Sequence, residues 1–527
     1  MKIFKFRSTP FIAVLWFGAI WFLHQDVVSQ SFLTGDALVD INDGALIMRQ
    51  DYMGFYLGDQ KIGFSEFVLK EDSDESQTKL PGKYFIFNAR SHLRIQAMGM
   101  PIEVRMIQSG EVNEDLSMRS FRSQFESSGQ QLYSLGVVDT EGLHLTTRSE
   151  GENTEQLIQV ELPIYHTEMV HLLMARDGLE VGKTYSYRVF DPLTMSQGVI
   201  EGRVESREPV TLPNGETQEG WKAIISYKGM ETTVWMDKNG ERFKENTRVA
   251  GIAFTALKES KEEATDMNFV AEQVRQEQKD NAPDTLDLIE SSRIKTEVQL
   301  KNPAAVERME VKVINAGPES VVLDGHLQKI IQQEESGFVL AIQQADYEKL
   351  EQLPAEAKPF VTEPNPELEE YLRDEALVQS SNTRIMKKAL EITQDSENRW
   401  QASKAIADWL YKNIAKEMRA TIPSALEILN TMKGDCNEHS TLFAAMARSI
   451  GIPAKIVAGL VYQDDGFYYH AWNEVYIDGQ WYPIDATLNR IKMDAAHIKM
   501  AEGSLDSQAS ITNKIGEIDV QILSHEG

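Results

Sequence analysis

The sequence is poor in cysteine and in basic side chains. Cys436 is the only cysteine among 527 residues, so no disulfide can form within the chain and a redox thiol would lack a resolving partner. Lys and Arg number 53 against 81 Asp and Glu, which gives a net charge of -28. A phosphate backbone requires a cationic surface, so this balance argues against nucleic acid as a partner. The acidic excess is interpreted as serving solubility.

Long apolar runs are also scarce. Residues 10–23 form the longest one, and they follow the basic residues Lys2, Lys5 and Arg7. A full membrane span needs roughly 18 apolar residues or more, so this run is typical of a signal peptide. The sequence therefore predicts a signal peptide or N-terminal membrane anchor at 1–29. We expect the rest of the protein in the periplasm or cell envelope, either secreted or anchored in the inner membrane by residues 10–23.

The remaining composition is that of a globular protein with several domains. Hydrophobic residues make up 42% of the chain and charged residues 25%. Short alternating strands separated by turn residues predict β-rich regions, and helical periodicity begins after residue 366. The predicted segments after residue 29 are a β-rich domain at 45–275, a linker at 276–289, a small β-rich domain at 290–353, a second linker at 354–366, a core at 367–504 and a C-terminal tail at 505–527.

Cys436 lies directly before a predicted helix. Residues 441–450 form the helical stretch, and Gly451 is a typical C-terminal stop. The unpaired N–H groups and the positive end of the helix dipole favour a thiolate at this position. The neighbouring carboxylates of Asp435 and Glu438 are predicted to cap the helix and to point away from the thiol.

A β-hairpin follows the predicted helix. Residues 467–477 and 480–485 are rich in aromatic and β-branched side chains, and Asp478-Gly479 between them is a primed turn signal. A two-residue loop sets a register in which Asp485 lies on the same face as His470, as its diagonal neighbour. A slip of one residue would move Asp485 to the other face. The hairpin therefore predicts a carboxylate within reach of an imidazole.

Cys436, His470 and Asp485 together are the groups that thiol catalysis requires. A thiolate attacks a carbonyl, an imidazole takes the thiol proton and returns it to the leaving group, and an acid orients the imidazole. The backbone N–H of Cys436 is the expected oxyanion donor. Two other interpretations exist for the same residues, namely a small buried side chain at Cys436 and a metal site made of Cys436, His439 and His470. The triad is the favoured interpretation, and neither a metal nor a cofactor is predicted.

Four segments resemble the core of the transglutaminase-like superfamily. They come in the family's order, with His470 34 positions after Cys436 and Asp485 15 positions after His470. The segments are Gly434-Asp435-Cys436, Arg448-Ser449-Ile450-Gly451-Ile452-Pro453-Ala454-Lys455, His470-Ala471-Trp472-Asn473-Glu474-Val475-Tyr476 and Trp481-Tyr482-Pro483-Ile484-Asp485-Ala486-Thr487. The resemblance implies a papain-like α+β fold with Cys436 as nucleophile, His470 as base and Asp485 as orienting acid. Nothing in the sequence resembles the calcium sites of animal transglutaminases.

The predicted fold class is multidomain, with β-rich N-terminal and middle regions followed by a C-terminal papain-like, transglutaminase-like domain. The layout resembles bacterial envelope proteins that carry a β-rich region before such a core. We expect a cysteine hydrolase or acyltransferase of the envelope that acts on a peptide or amide bond of a protein or peptide substrate. The alternative is an envelope binding or assembly protein in which the β-rich regions recognise a partner and the core is a non-catalytic scaffold.

Overall fold

The structure is a computed structural model, and the chain divides into two compact units that meet in sequence between residues 288 and 289. The described residues are 47–58, 60–71, 84–97, 100–127, 130–149, 152–192, 194–212, 215–249, 252–268, 293–322, 327–360, 365–375, 377–417, 424–503 and 518–527. The predicted signal segment at 1–29, the linker at 276–289 and much of the predicted tail at 505–527 lie outside them. No helix within these ranges combines the length and the apolarity needed to cross a membrane.

The first unit is built almost entirely from strands. They are β1 (Ile47–Leu57), β2 (Gln60–Glu71), β3 (Tyr84–Ala97), β4 (Met100–Asn113), β5 (Met118–Ser127), β6 (Gln130–Val138), β7 (Leu143–Ser149), β8 (Glu152–Ile158), β9 (Tyr165–His166), β10 (Thr184–Asp191), β11 (Ser196–Thr211), β12 (Thr217–Tyr227), β13 (Met230–Met236), β14 (Arg242–Val249) and β15 (Ile252–Lys258). Two short helices accompany them, α1 (Val170–Arg176) and α2 (Lys261–Thr265).

These strands form one 15-stranded sheet. Strands β1 to β8 pair in sequence as antiparallel neighbours, β10 to β15 do the same, and β1 pairs with β15 to join the two runs. One face buries aromatic side chains such as Phe67 and Phe87. The ring of His171 on α1 lies 5.7 Å from Phe67, and that of His166 lies 4.7 Å from Phe87. Helix α1 therefore packs on the apolar face of the sheet.

The second unit mixes helices and strands. Its strands are β16 (Ile294–Lys295), β17 (Arg308–Ile314), β18 (Gln328–Glu334), β19 (Gly337–Gln343), β20 (Ala415–Lys416), β21 (Lys433–Gly434), β22 (Ala454–Gln463), β23 (Gly466–Ile477), β24 (Gln480–Ile484), β25 (His497–Glu502) and β26 (Asp519–Glu526). Its helices are α3 (Pro366–Glu369), α4 (Thr383–Ile392), α5 (Arg399–Asn413), α6 (Ala425–Thr431) and α7 (Cys436–Ser449).

Helix α7 is the centre of this unit. All of its residues except the last are buried, and it packs against α4, α5 and α6 on one side and β22 and β23 on the other. A helix that is buried on every side belongs to the interior of a domain. The sheet behind it has the order β16-β23-β22-β25. Strand β24 pairs with the same edge of β23 as β16 does, but at the opposite end of that strand. The predicted catalytic segments therefore lie on the central helix and its adjoining sheet.

A second, smaller sheet has the order β18-β19-β17-β26. Strand β26 comes from the segment predicted as a tail, and it pairs antiparallel with β17 across about 200 residues of sequence. Strand β16 similarly pairs with Phe467 and Gly466 of β23. Such distant pairings depend on tertiary packing rather than on local sequence pattern. The predicted fold class is confirmed, with β-rich N-terminal and middle regions followed by a C-terminal domain of helices and strands.

Candidate active site

Helix α7 begins at Cys436, and a capping box closes its first turn. The Asp435 side chain accepts a hydrogen bond from the Asn437 N–H at 2.9 Å, and Glu438 Oε2 accepts from the Asp435 N–H at 2.7 Å. The preceding residue must be glycine, since a Cβ on Gly434 would lie 2.2 Å from the Cβ of Glu438. The capping interaction fixes the cysteine at a helix N-terminus, as the sequence predicts.

The predicted hairpin forms with the predicted register. The pairing runs from Ile477 opposite Gln480 to Asn473 opposite Ile484. The two turn residues have φ angles of 49° and 81°, which is the signature of a primed two-residue turn. Asp485 follows directly after the last pair, so the turn decides which face of the sheet its carboxylate reaches.

The hairpin brings His470 and Asp485 into direct contact. His470 Nε2 lies 2.8 Å from Asp485 Oδ2, and both side chains are fully buried. The other carboxylate oxygen accepts hydrogen bonds from the N–H groups of Thr487 and Leu488 at 2.7 and 3.1 Å. Burial alone would raise the pKa of Asp485, but the electrostatic interaction and hydrogen bond with His470, together with the approach of His497, outweigh burial and hold that pKa well below its usual value. Asp485 is therefore a carboxylate at neutral pH.

The contact with Asp485 also determines which nitrogen of the neutral His470 ring carries the hydrogen and which carries the lone pair. Nε2–H donates to the carboxylate, so the lone pair of the neutral ring is on Nδ1. This Nδ1 is buried and has no hydrogen-bond partner among the described residues. Nδ1 of His470 is thus available to accept a proton.

The thiol of Cys436 lies beside the same strand. The Ala471 N–H hydrogen-bonds to the thiol, and Ala471 is the next residue after His470. Asn473 on the same strand donates from Nδ2 to the carbonyl oxygen of Ser440 at 3.0 Å, which ties β23 to helix α7. The structure therefore brings the cysteine helix and the histidine strand together at the predicted residues.

The protonation state of the thiol differs from the expectation based on the helix dipole. Burial raises the pKa of Cys436 well above its usual value, and the nearby carboxyl group of Asp435 raises it further. The Ala471 N–H acts in the opposite direction but does not compensate. The resting side chain is a neutral thiol, because the helix N-terminus does not offset desolvation at a site with no exposed surface.

The two flanking carboxyl groups cap the helix as predicted, yet both influence the thiol. Burial raises the pKa of Glu438 well above its usual value, and the adjacent Asp435 raises it further. Burial likewise raises the pKa of Asp435. Both groups contribute to the raised pKa of Cys436. Their capping role therefore does not remove their electrostatic effect.

A second histidine, His497 at the start of β25, reaches the same cluster and was not predicted. Its Nδ1 lies 2.9 Å from Asp494 Oδ1, and its Nε2 lies 3.7 Å from Asp485 Oδ2. Burial alone would lower the pKa of His497, but the carboxylates of Asp494 and Asp485 outweigh burial and raise it to about 9. The Asp-x-x-His spacing at 494–497 is the only local signal that could have pointed to this residue.

The predicted alternative of a metal site at Cys436, His439 and His470 finds no support in the geometry. His439 Nδ1 lies 2.6 Å from the Asp435 carbonyl oxygen, and burial lowers the pKa of His439 to about 4. Among the described residues, the one group with ligand atoms within 4.8 Å of one another is His470, Asp485 and His497. Two of the potential ligand atoms in that group, His470 Nε2 and Asp485 Oδ2, are already hydrogen-bonded to each other at 2.8 Å.

Comparisons with known proteins find a family match and several relatives for this chain. Residues 387–486 match the transglutaminase-like superfamily. The kyphoscoliosis peptidases of Mus musculus and Homo sapiens are each 29% identical over 113 residues, which cover 18% of this chain and 17% of each relative. The match thus spans less than a fifth of the curated relatives' length.

One solved structure, a candidate cysteine protease from Cytophaga hutchinsonii, is 18% identical with a TM-score of 0.30, and the match covers 41% of this chain and 82% of that one. Another, a candidate protease from Parabacteroides distasonis, is 10% identical with a TM-score of 0.19, over 70% and 69% of the two chains. The resemblance noted from the sequence is confirmed by the match over 387–486. Residues 387–486 are thus the part of the chain that is similar to the transglutaminase-like superfamily.

Proposed function

We propose that the transglutaminase-like core carries out cysteine-dependent acyl transfer on peptide or amide bonds. Cys436 is the nucleophile, His470 the general base and Asp485 the acid that orients the imidazole. The observation that carries this proposal is the buried 2.8 Å hydrogen bond from His470 to Asp485, which leaves Nδ1 without a partner one residue from the contact of Ala471 with the thiol.

The neutral thiol determines how the first step proceeds. As the sulfur of Cys436 attacks the substrate carbonyl carbon, Nδ1 of His470 accepts the thiol proton, so no thiolate needs to exist beforehand. The imidazolium that forms is stabilised by the carboxylate of Asp485. The backbone N–H of Cys436 donates to the oxyanion of the tetrahedral intermediate.

The second half of the reaction returns the proton. The imidazolium of His470 protonates the leaving amine, the C–N bond breaks, and a thioester to Cys436 remains. Water or a second amine then attacks the thioester, and His470 takes a proton from that acceptor and returns it to the sulfur. Hydrolysis and amine transfer therefore share the acyl-enzyme step, and both a peptidase or amidase and a transglutaminase are compatible with these residues.

The proposed location is the cell envelope, with a protein or peptide substrate. The support is the basic and apolar N-terminal sequence at 1–29, which is typical of exported proteins.

A second candidate function is supported by a specific observation. The side chains of Cys436, His470 and Asp485 are all fully inaccessible to solvent. A buried thiol of raised pKa is also what an inert structural cysteine shows. In this second candidate the core is a non-catalytic scaffold of an envelope binding or assembly protein.

Alkylation of the thiol by iodoacetamide separates the two candidates. Because Cys436 is the only cysteine, the mass of the intact protein reports its modification directly. For the enzyme we expect native-state alkylation at pH 7 that is at least tenfold slower in His470→Gln. The matched control, His525→Gln, changes an exposed histidine and should retain the wild-type rate. A thiol that reacts only in denaturant would sink the enzyme proposal.

The acceptor and the donor are identified in a second experiment. Wild-type protein and Cys436→Ala are incubated with cell-envelope extract, and acyl adducts on the cysteine peptide are identified by mass spectrometry. The mass of the adduct identifies the acyl donor. Release of the adduct by water indicates hydrolysis, whereas release by an added primary amine such as methylamine indicates transfer. An absence of any adduct that depends on Cys436 would contradict the acyl-transfer mechanism.

A further inference from the structure

His497 lies next to Asp485 of the triad, between two buried carboxyl groups. Asp494 and Asp485 each place one oxygen next to one nitrogen of its ring, at 2.9 and 3.7 Å. The histidine and both carboxyl groups are at least 97% buried. The chain of contacts continues from Asp485 to His470 at 2.8 Å. Four titratable side chains thus form one buried row that ends at the imidazole of His470.

The ring of His497 is held in place from several directions. Asp494 Oδ1, which contacts Nδ1, also accepts a hydrogen bond from the Ala496 N–H at 3.0 Å, so the carboxylate cannot rotate freely. The indole of Trp472 meets the ring edge-on at 5.3 Å and is stacked on His470 at 6.2 Å. Trp472 therefore holds the two imidazoles in a fixed relative position.

The positions of the two carboxylates determine the charge of His497. A neutral imidazole has one N–H and one lone pair. Either neutral tautomer would direct a lone pair at a carboxylate oxygen in a buried site. Nδ1 is within hydrogen-bond distance of Asp494, whereas Nε2 lies 3.7 Å from Asp485 Oδ2 and has no hydrogen-bond partner among the described residues. The imidazolium adds an ion pair with Asp485 that neither neutral tautomer can make, so the geometry favours the protonated ring.

Among the described residues, only His497 has a ring nitrogen within 4 Å of each of these two carboxyl groups. Lys416 also interacts with the charge of Asp485, but burial lowers the pKa of Lys416. Lys499 lines the same cleft but is bound to both oxygens of Glu474 at 2.8 Å. Arg490 forms an ion pair with Asp494, with Nε 3.2 Å from Oδ2. The nearby hydroxyl of Tyr347 donates its hydrogen to the carbonyl oxygen of Pro483. The titratable and charged groups around His497 and its two carboxyl partners are Asp485, Asp494, His470, Glu474, Lys499, Arg490, Tyr347 and Lys416.

We propose that His497 is a positioning residue of the active site, an imidazolium that bridges Asp494 and Asp485 and so keeps Asp485 ionised and aimed at His470. The inference rests on the proposed function for its effect on catalysis. A negatively charged Asp485 accepts the Nε2–H of His470 and keeps the lone pair on Nδ1, where the thiol proton must go. If Asp485 were protonated it would donate to Nε2, and Nδ1 would carry the proton.

Two substitutions should shift opposite limbs of the curve of Cys436 alkylation rate against pH. His497→Gln keeps a hydrogen-bonding side chain but leaves two buried carboxylates without their cation, so Asp485 takes up a proton more readily. The acid limb of Cys436 alkylation should then move at least one pH unit higher. Asp494→Asn removes one partner of the imidazolium, so His497 loses its proton more readily and the alkaline limb should move to lower pH.

A charge-conserving variant separates charge from packing. His497→Lys should keep the acid limb within half a pH unit of the wild-type position, whereas a purely structural role would make Lys at least as disruptive as Gln. His525→Gln is the exposed control in the same unit. An unchanged acid limb in folded His497→Gln, or an acid limb in His497→Lys that matches that of Gln, would overturn the proposal.

The charge itself is measured in the full-length wild-type chain by histidine ring ¹⁵N and ¹³C NMR, with the His497 signals assigned from the spectrum of His497→Gln. We expect the imidazolium pattern for His497 at pH 7. A neutral ring at pH 7 would overturn the proposal even if every variant failed to fold. The NMR measurement does not require a reactive thiol. An unreactive Cys436 would therefore contradict the proposed function without contradicting this inference.

Discussion

The backbone N–H of Asp435 donates a 2.7 Å hydrogen bond to Glu438 Oε2, so two carboxyl groups enclose the first turn of the helix that carries Cys436. The capping interaction fixes the position of the nucleophile, and the same carboxyl groups raise the pKa of its thiol. Helix geometry and thiol acidity are therefore coupled through Asp435 and Glu438. The following predictions separate these two effects and test the contacts around the site.

Asp435→Asn should make the thiol more acidic while preserving the helix. Asn caps helices about as well as Asp, so the free energy of unfolding should change by less than about 1 kcal/mol. Removal of the charge should move the pH midpoint of Cys436 alkylation downward and speed the reaction at pH 7. Asp435→Ala is the control: it removes the cap as well and should cost about 1 kcal/mol of stability. An unchanged midpoint in Asp435→Asn would show that the carboxyl group is not charged near the thiol.

Gly434→Ala should destabilise the second unit. The added Cβ would lie 2.2 Å from the Cβ of Glu438, which cannot move without distorting the first turn of the helix. We expect a loss of about 1–3 kcal/mol, and also slower alkylation of Cys436. Gly479→Ala is a matched comparison, because its φ is +81° and nothing lies within 4 Å of the new Cβ. It should cost about 1 kcal/mol through its backbone conformation alone. Denaturant unfolding of both variants provides the measurement.

Asn473→Asp should loosen the contact between the helix and the sheet. Asn473 Nδ2 donates to the carbonyl oxygens of Ser440 and Lys455 at 3.0 and 3.1 Å. Asp of the same shape would place an oxygen against these two acceptors, at a cost of about 3 kcal/mol in the free energy of unfolding. Asn473→Ala removes the donors without adding repulsion and should cost less. The prediction is wrong if Asp is tolerated as well as Ala.

Asp485→Asn should remove most of the proposed activity with little change in shape. The amide can donate to His470 Nε2, which places the proton on Nδ1 and blocks the acceptance of the thiol proton. Turnover should fall by about 10⁴-fold. Asp408→Asn, on the exposed face of α5, is the control and should retain wild-type turnover. Equal turnover by the two variants would exclude Asp485 as the orienting acid.

His497 and His439 should make the free energy of unfolding depend on pH in opposite directions on the two sides of pH 6.5. The folded pKa of His497 is about 9, above its usual 6.5, so its stabilising contribution is complete below pH 6.5 and is lost as the pH rises through 9. The rise in the pKa of His497 from 6.5 to about 9 corresponds to about 3 kcal/mol in the free energy of unfolding. His439 acts in the opposite direction, because its pKa of about 4 means that stability is lost as the pH falls from 6.5 toward 4. Denaturant unfolding at pH 6 and pH 9.5 should show a smaller difference in His497→Gln than in wild type.

Local sequence was sufficient where a local interaction decides the geometry. The turn at Asp478 and Gly479 sets the register of the hairpin, and the register alone places Asp485 next to His470. Gly434 and the capping residues likewise fix the start of helix α7. These features could be predicted because each depends on residues within about 15 positions of one another.

Other features depend on contacts between distant parts of the chain. His497 reaches the site because β25 pairs with β22, with a register shift between Ala458 and Gly459 that no sequence pattern announces. Strand β26 completes a sheet with β17, more than 200 residues earlier. The low local signal at these positions explains why the sequence did not reveal them.

The sequence by itself determined the identity and order of Cys436, His470 and Asp485, because a cap motif and a two-residue turn are enforced by backbone geometry alone. Only the tertiary structure decided the charges at the site. Complete burial raises the pKa of the Cys436 thiol, and the approach of Asp494 and Asp485 raises the pKa of His497. The physical reason is that a pKa responds to desolvation and to neighbouring charges, which depend on how distant segments pack.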